Sequence, residues 1–349
     1  MPTTYAIPNG ATAFAATLYT SNGGTQSLMN AVNGVGFQPD LLWIKPRSTT
    51  GGNALIDSVR GVSNYLVSYN TSAEASASDY ITSFNLSGWS LGAGNFSNST
   101  TVVGWQWKAG GTAVSNTAGS ITSTVSANTT AGFSVVTYTG NGTSGTIGHG
   151  LGVAPQMIIV KRRSATQDWI VAHIGIGGTG GMGNNFMYLD LTDASSAYAG
   201  CFNNTLPTTS VFSVGSDTST NASGSTYVAY CYAPVAGYSA FGSYTGNGST
   251  DGPFIYTGFR PRFLMVKNSS AVGNWNMQDS SRNPYNAVNN QLYANLSDAE
   301  YAANSGNFLV DFLSNGFKVR GTGSSGNGSG NTIIYVAFAE NPFKNANAF

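Results

Sequence analysis

Residues 36–45 read GFQPDLLWIK, residues 152–161 GVAPQMIIVK and residues 258–267 GFRPRFLMVK. Each is a Pro-containing turn, a run of four apolar residues and a lysine. The lysines stand 116 and then 106 residues apart. Propeller blades repeat at roughly 40 to 50 residues, so this spacing excludes them. A unit of about 100 residues is the size of a whole β-sandwich.

The repeat extends well beyond the ten-residue motif. FAATLYTSNG (14–23), FSVVTYTGNG (133–142) and FGSYTGNG (241–248) precede it. NYLVSYNTSAEA (64–75), NFMYLDLTDASSA (185–197) and NQLYANLSDAEYA (290–302) follow it. Each copy closes on an aromatic run, at GWQWKAGG, YVAYCYAP and IIYVAFAENP. β-branched and aromatic runs broken by Gly, Asn and Ser predict strands and turns, and no stretch has helical periodicity. The Asn-Gly pairs predict tight hairpins whose glycines take positive φ. In 227–232, Tyr, Ala and Cys alternate with Val, Tyr and Tyr. Apolar groups on both faces predict a central strand covered on both sides.

The expected fold is all-β: three tandem antiparallel β-sandwich modules, jelly-roll-like, related by the internal repeat. The boundaries are an N-terminal arm at 1–13, module one at 14–108 and a Gly/Ser/Thr-rich linker at 109–131. Module two follows at 132–236, module three at 237–344 and a C-terminal tail at 345–349. The long linker is expected to be flexible or an extended arm. The second junction is short, so copies two and three are expected to dock tightly, with copy one set apart.

Composition narrows the function. Fourteen basic and fourteen acidic residues cancel, and only 8% of the chain is charged. That balance argues against a nucleic-acid partner. No apolar run reaches the ~18 residues of a spanning helix, so no membrane insertion is expected. The N-terminus lacks a basic segment followed by an apolar core, and is expected not to act as a signal peptide. The two cysteines, Cys201 and Cys231, form no disulfide framework, and Cys231 reads as a buried free thiol.

The chemistry of catalysis is thinly represented, and the chain is expected not to be an enzyme. His149 and His173 have no counterparts in the other copies, and no G-x-S-x-G elbow supports a triad. GIGGTG (175–180) matches a dinucleotide fingerprint, but no helix is predicted after it. The three glutamates, Glu74, Glu300 and Glu340, form no obvious hydrolytic pair. No cofactor and no metal site is expected. Asp190 with Asp193, or Asp298 with Glu300, are the loop carboxylates a calcium ion would use; solvated side chains are the plainer reading. Trp169 and Trp275 each lie eight residues after their motif lysine, where the first copy has Asn53. On an exposed loop these rings would stack on a sugar; the alternative is a core or lid position closing one edge of a sandwich. Trp105 and Trp107 share a strand face and read as core or inter-module contacts. The motif lysines themselves read as strand-end caps.

The motifs G-F-x-P-x-(apolar)4-K and Y-T-G-N-G, with SNGFK and YVAFAENPFK near the C-terminus, resemble those of a family of tailed-bacteriophage virion proteins. The likeness spans about residues 14–344 and is weakest in copy one, with YTSNG and GWQWKAGG. It implies a non-enzymatic structural protein of the virion, assembled in the host cytoplasm. Its partners would be other virion proteins, its own copies, and a host-surface glycan or protein. The first expectation is a tail fibre or spike-type appendage whose loops bind the host surface. The alternative is a capsid decoration, cement or tail-connecting protein; three similar modules would mimic a trimer at a local threefold position. The lack of a large N-terminal anchoring domain leans towards that alternative.

Overall fold

The computed structural model describes residues 4–342 apart from 33 and 95. The chain is all-β, with antiparallel pairing throughout its named strands. The tail expected at 345–349 lies outside the described residues.

Each copy of the repeat builds a large sheet and a small one. In the first, the large sheet runs Phe14–Thr20, Thr101–Trp107, Leu41–Pro46, Ala54–Asp57, Asn64–Val67, Ala75–Ser76 in space. The third copy repeats this order with Ser239–Thr245, Thr332–Pro342, Phe259–Asn268, Asn276–Asp279, Asn290–Tyr293 and Tyr301–Ala302. The second has the same six-strand order, starting from Phe133–Thr139 and Thr226–Tyr232, with two strands added at its edge. The repeated motif is therefore the third strand of the six-strand order that the copies share, paired to the strand that closes the copy.

The added strands correct one expectation. Residues 109–131 are not a free linker: Val114–Asn116 and Ser123–Asn128 form a hairpin that pairs onto Phe133–Thr139. The Ile121 amide then bonds the Thr146 carbonyl at 2.9 Å, reaching the small sheet. Ser and Thr are at home on such a half-exposed edge, and pairing satisfies backbone groups that a free arm would leave to water.

The Asn-Gly turns also differ from expectation. Gly23, Gly142 and Gly248 do have positive φ, at 72°, 78° and 67°. They do not close hairpins. Phe133–Thr139 pairs with Thr226–Tyr232, whereas the strand after the turn, Gly145–Gly148, belongs to the small sheet. The Asn221 side chain fixes this crossing in copy two, accepting from the Asn141 amide at 2.9 Å, and Asn327 does the same for Asn247 at 2.9 Å.

The two faces of each large sheet have different destinations. In 227–232, Tyr227, Ala229 and Cys231 face a core shared with the small sheet, together with Ile147, Phe212 and Val214. Val228, Tyr230 and Tyr232 face a second core, which contains residues of all three copies. At its centre three equivalent rings form a triangle. Trp107 lies 6.2 Å from Tyr232 and 5.6 Å from Phe338, and Tyr232 lies 5.9 Å from Phe338. Copy one is therefore not set apart. Burying three such faces removes from water a layer that no copy could cover alone. The N-terminal arm joins in, with Ile7 buried in this core and Gly10–Thr12 forming a 3-10 turn.

Candidate functional site

The motif lysines occupy the seams between copies. Lys45, Lys161 and Lys267 are fully buried. Lys45 Nζ donates to Asn53 Oδ1 at 2.6 Å and, in copy three, to the Leu296 carbonyl at 2.7 Å. Lys161 Nζ donates to the Thr71 carbonyl of copy one at 2.9 Å and to the Gln167 carbonyl. Lys267 Nζ donates to the Thr192 and Asp193 carbonyls of copy two, at 3.0 and 2.7 Å. The direction is one-to-three, two-to-one, three-to-two, a closed cycle. Burial pushes these ammonium groups down, to about 7 for Lys45 and about 8 for Lys161 and Lys267. They are not strand-end caps. The strand ends against a neighbouring copy, so the lysine next to its end meets carbonyls rather than water.

Trp169 and Trp275 sit in the same seams. Both are fully buried, so neither ring is available to a sugar. Trp169 Nε1 donates to the Val67 carbonyl at 2.9 Å, and Trp275 Nε1 to the Tyr188 carbonyl at 2.8 Å. Asn53 makes the corresponding contact in copy one, donating to Tyr293, Ala294 and Leu296 carbonyls at 3.1, 2.9 and 3.0 Å. The ligand-contact reading thus gives way to the lid reading, because each ring closes its sheet against the next copy. Trp105 spans a seam as well, donating to Asp279 Oδ2 at 3.0 Å.

Two seams carry matching charge networks. Between copies one and two, Arg60 bonds Asp57 at 2.5 Å and Glu74 at 2.9 Å, and Arg163 bonds Glu74 at 2.7 Å. Between copies three and one, Arg282 bonds Asp279 at 2.6 Å and Glu300 at 2.9 Å, and Arg47 bonds Glu300 at 2.6 Å. Burial pushes the Glu74 carboxyl up, but hydrogen bonds from Arg163 and Arg60 outweigh it and leave it below its usual range. At the third seam the equivalent positions hold His173, Ile176, Ser195 and Ser269. There the Ser195 amide and hydroxyl both donate to the Ser269 carbonyl, at 2.8 Å each.

The remaining sequence candidates do not converge. His149 is buried and bonds the Thr208 carbonyl at 3.1 Å and the Leu151 amide at 3.2 Å. Cys201 and Cys231 are buried free thiols. GIGGTG leads into a short 3-10 turn at Gly181–Gly183 and a strand, not a helix that would hold a phosphate. The carboxylates considered for calcium lie beside basic groups. Lys161 acts on Asp190, Lys45 is acted on by Asp298, and Glu300 is paired with Arg47 and Arg282. Among the described residues no cluster of three or more His, Cys, Asp and Glu could hold a metal.

What remains open lies on the periphery. Phe254 and Tyr256 project from the edge strand of the third small sheet, 45% and 55% exposed, on one face by period two. Tyr198 and Tyr285 are exposed on loops. A cleft of about 390 Å³ runs between copy one and the inserted hairpin, lined by Asp40, Lys108, Gly110 and Asn128 among others. The Asp40 carboxylate in its wall is already engaged, accepting from Ser58 Oγ and the Ala109 amide at 2.7 Å each.

The seam residues were legible as repeats in the sequence but not as a site. The signals were the recurrence of a lysine at the end of each motif, at 45, 161 and 267, and of a tryptophan eight residues after the last two. The family profile described as Domain of unknown function (DUF7483) matches residues 9–342. No curated protein and no solved structure matches the chain.

Proposed function

The chain belongs to the DUF7483 family, and we propose that it is a non-enzymatic structural protein of a tailed-phage particle. In this reading three jelly-roll-like sandwich modules are welded into one ring, a single-chain counterpart of a trimer. The observation that carries it is the closed cycle of buried lysines, each held by the neighbouring copy's carbonyls. A cycle has no free end and every module is braced twice, which suits a part that must stay assembled outside a cell. Closed symmetry also suits a threefold position on a larger assembly. The role favoured is therefore decoration or cement on a capsid, or a connecting piece of the tail. The residue likeness to virion proteins supplies the setting.

A second reading, an attachment appendage, draws on the exposed Phe254, Tyr256, Tyr198 and Tyr285. Exposed aromatics are common anchors for sugars and proteins. Gold-labelled antibody against the purified chain, imaged on intact particles, separates the two. Label over the head or the tail shaft supports the structural role, and label at the distal tail tip supports attachment. Particles that take no label in either place overturn both.

A further inference from the structure

We infer that the junction between the second and third copies is an acid-labile seam, opened by protonation of His173 while the other two junctions hold. His173 stands where copies one and three have Asp57 and Asp279. Those aspartates are paired to Arg60 and Arg282. The second copy has Ile176 at the arginine position, so His173 has no such partner.

Both ring nitrogens are committed in the neutral form. Nε2 donates to the Tyr335 carbonyl of copy three at 3.1 Å, and Nδ1 accepts from the Gly175 amide at 2.9 Å. A second proton on Nδ1 would set donor against donor in a site closed to water. Around the ring stand Met157 opposite it in the sheet, Phe241 at 6.2 Å and Tyr335. The titratable groups there are phenols: Tyr335, and Tyr232 in ring contact with Phe241. Burial raises both, so they stay neutral in acid. Of the charged groups of this seam, Lys267 donates to the main-chain carbonyls of Thr192 and Asp193, and the Asp193 carboxylate acts on Lys267 rather than on the ring. Burial holds the His173 imidazole down at about 3, so the closed seam excludes the proton and the open one admits it. In the seam between copies one and two the acid response waits for Glu74, held below the usual carboxylate range.

Linkage then sets the size of the response. Below the ordinary histidine value of about 6.5, seam opening should rise by up to about tenfold per pH unit. The test is native-state hydrogen exchange on the full chain at about pH 7 and about pH 4.5, corrected for the intrinsic rate. The expected result is lost protection in 170–176, 239–245 and 332–339, with 54–67 and 276–293 unchanged. His173→Asn keeps an acceptor for the Gly175 amide and cannot titrate in this range, so its seam should be insensitive to pH. Equal loss at all three seams in the unaltered chain overturns the inference, whether or not the variant folds. So does a variant that folds and keeps the full pH response.

Discussion

Asn53 does for the first copy what Trp169 does for the second. Its Nδ2 donates to the Ala294 carbonyl at 2.9 Å, as the Trp169 indole donates to the Val67 carbonyl at 2.9 Å. Asn53 also accepts from Lys45, so one small amide joins the ammonium to three carbonyls of copy three. Replacing it by alanine strands these groups. Asn53→Ala should cost about 2–3 kcal/mol, near the upper range for unsatisfied buried polar groups. Chemical denaturation of the two proteins, compared at equal slope, measures it.

The two charge networks should behave alike. Glu74 bridges Arg60 and Arg163, and Glu300 bridges Arg282 and Arg47. Glu74→Gln and Glu300→Gln each leave a buried guanidinium short of a partner, at an expected cost of about 2–4 kcal/mol. The two values should agree to within about 1 kcal/mol, and the double variant should be nearly additive because the sites lie in different seams. Denaturation midpoints of the three variants test both statements.

The seam lysines predict stability that climbs in alkali. Their pKa values fall from the unfolded 10.5 to about 7 or 8 on folding. Below about pH 7 both states are protonated and the full penalty of burial applies. Above about pH 8 the folded lysines shed their protons first, and that penalty shrinks until the unfolded value is reached. Each lysine should add up to about 1.4 kcal/mol per pH unit in that window. Denaturation at pH 7, 8 and 9 should show the rise, and Lys267→Met should reduce its slope.

All six tryptophans, at 43, 89, 105, 107, 169 and 275, are buried. Their emission should be blue-shifted, poorly quenched by acrylamide and unchanged on adding soluble host glycans. A sugar-dependent spectral change would restore Trp169 or Trp275 as contact residues.

Legibility followed the range of the interaction. Alternation in 227–232 announced a strand covered on both sides, because side-chain direction is a local property of the pleat. The hairpin within 109–131 was hidden: its Ser and Thr residues are as suited to a linker as to an edge, and only the neighbouring strand decides. Trp169 looked the same as an exposed ring or a lid, since eight residues from Lys161 says nothing of what lies above it.

The sequence by itself determined the all-β class, the three copies and the strand that carries each motif. Composition and periodicity act within a strand or a turn, and they are written residue by residue. The tertiary structure decided that the copies close into a cycle, that Lys45 meets Leu296 and that His173 meets Tyr335. Those partners lie 251 and 162 residues apart. Nothing local selects them. They are chosen by the burial of three apolar sheet faces against one another, which brings each strand end onto a neighbour's carbonyls.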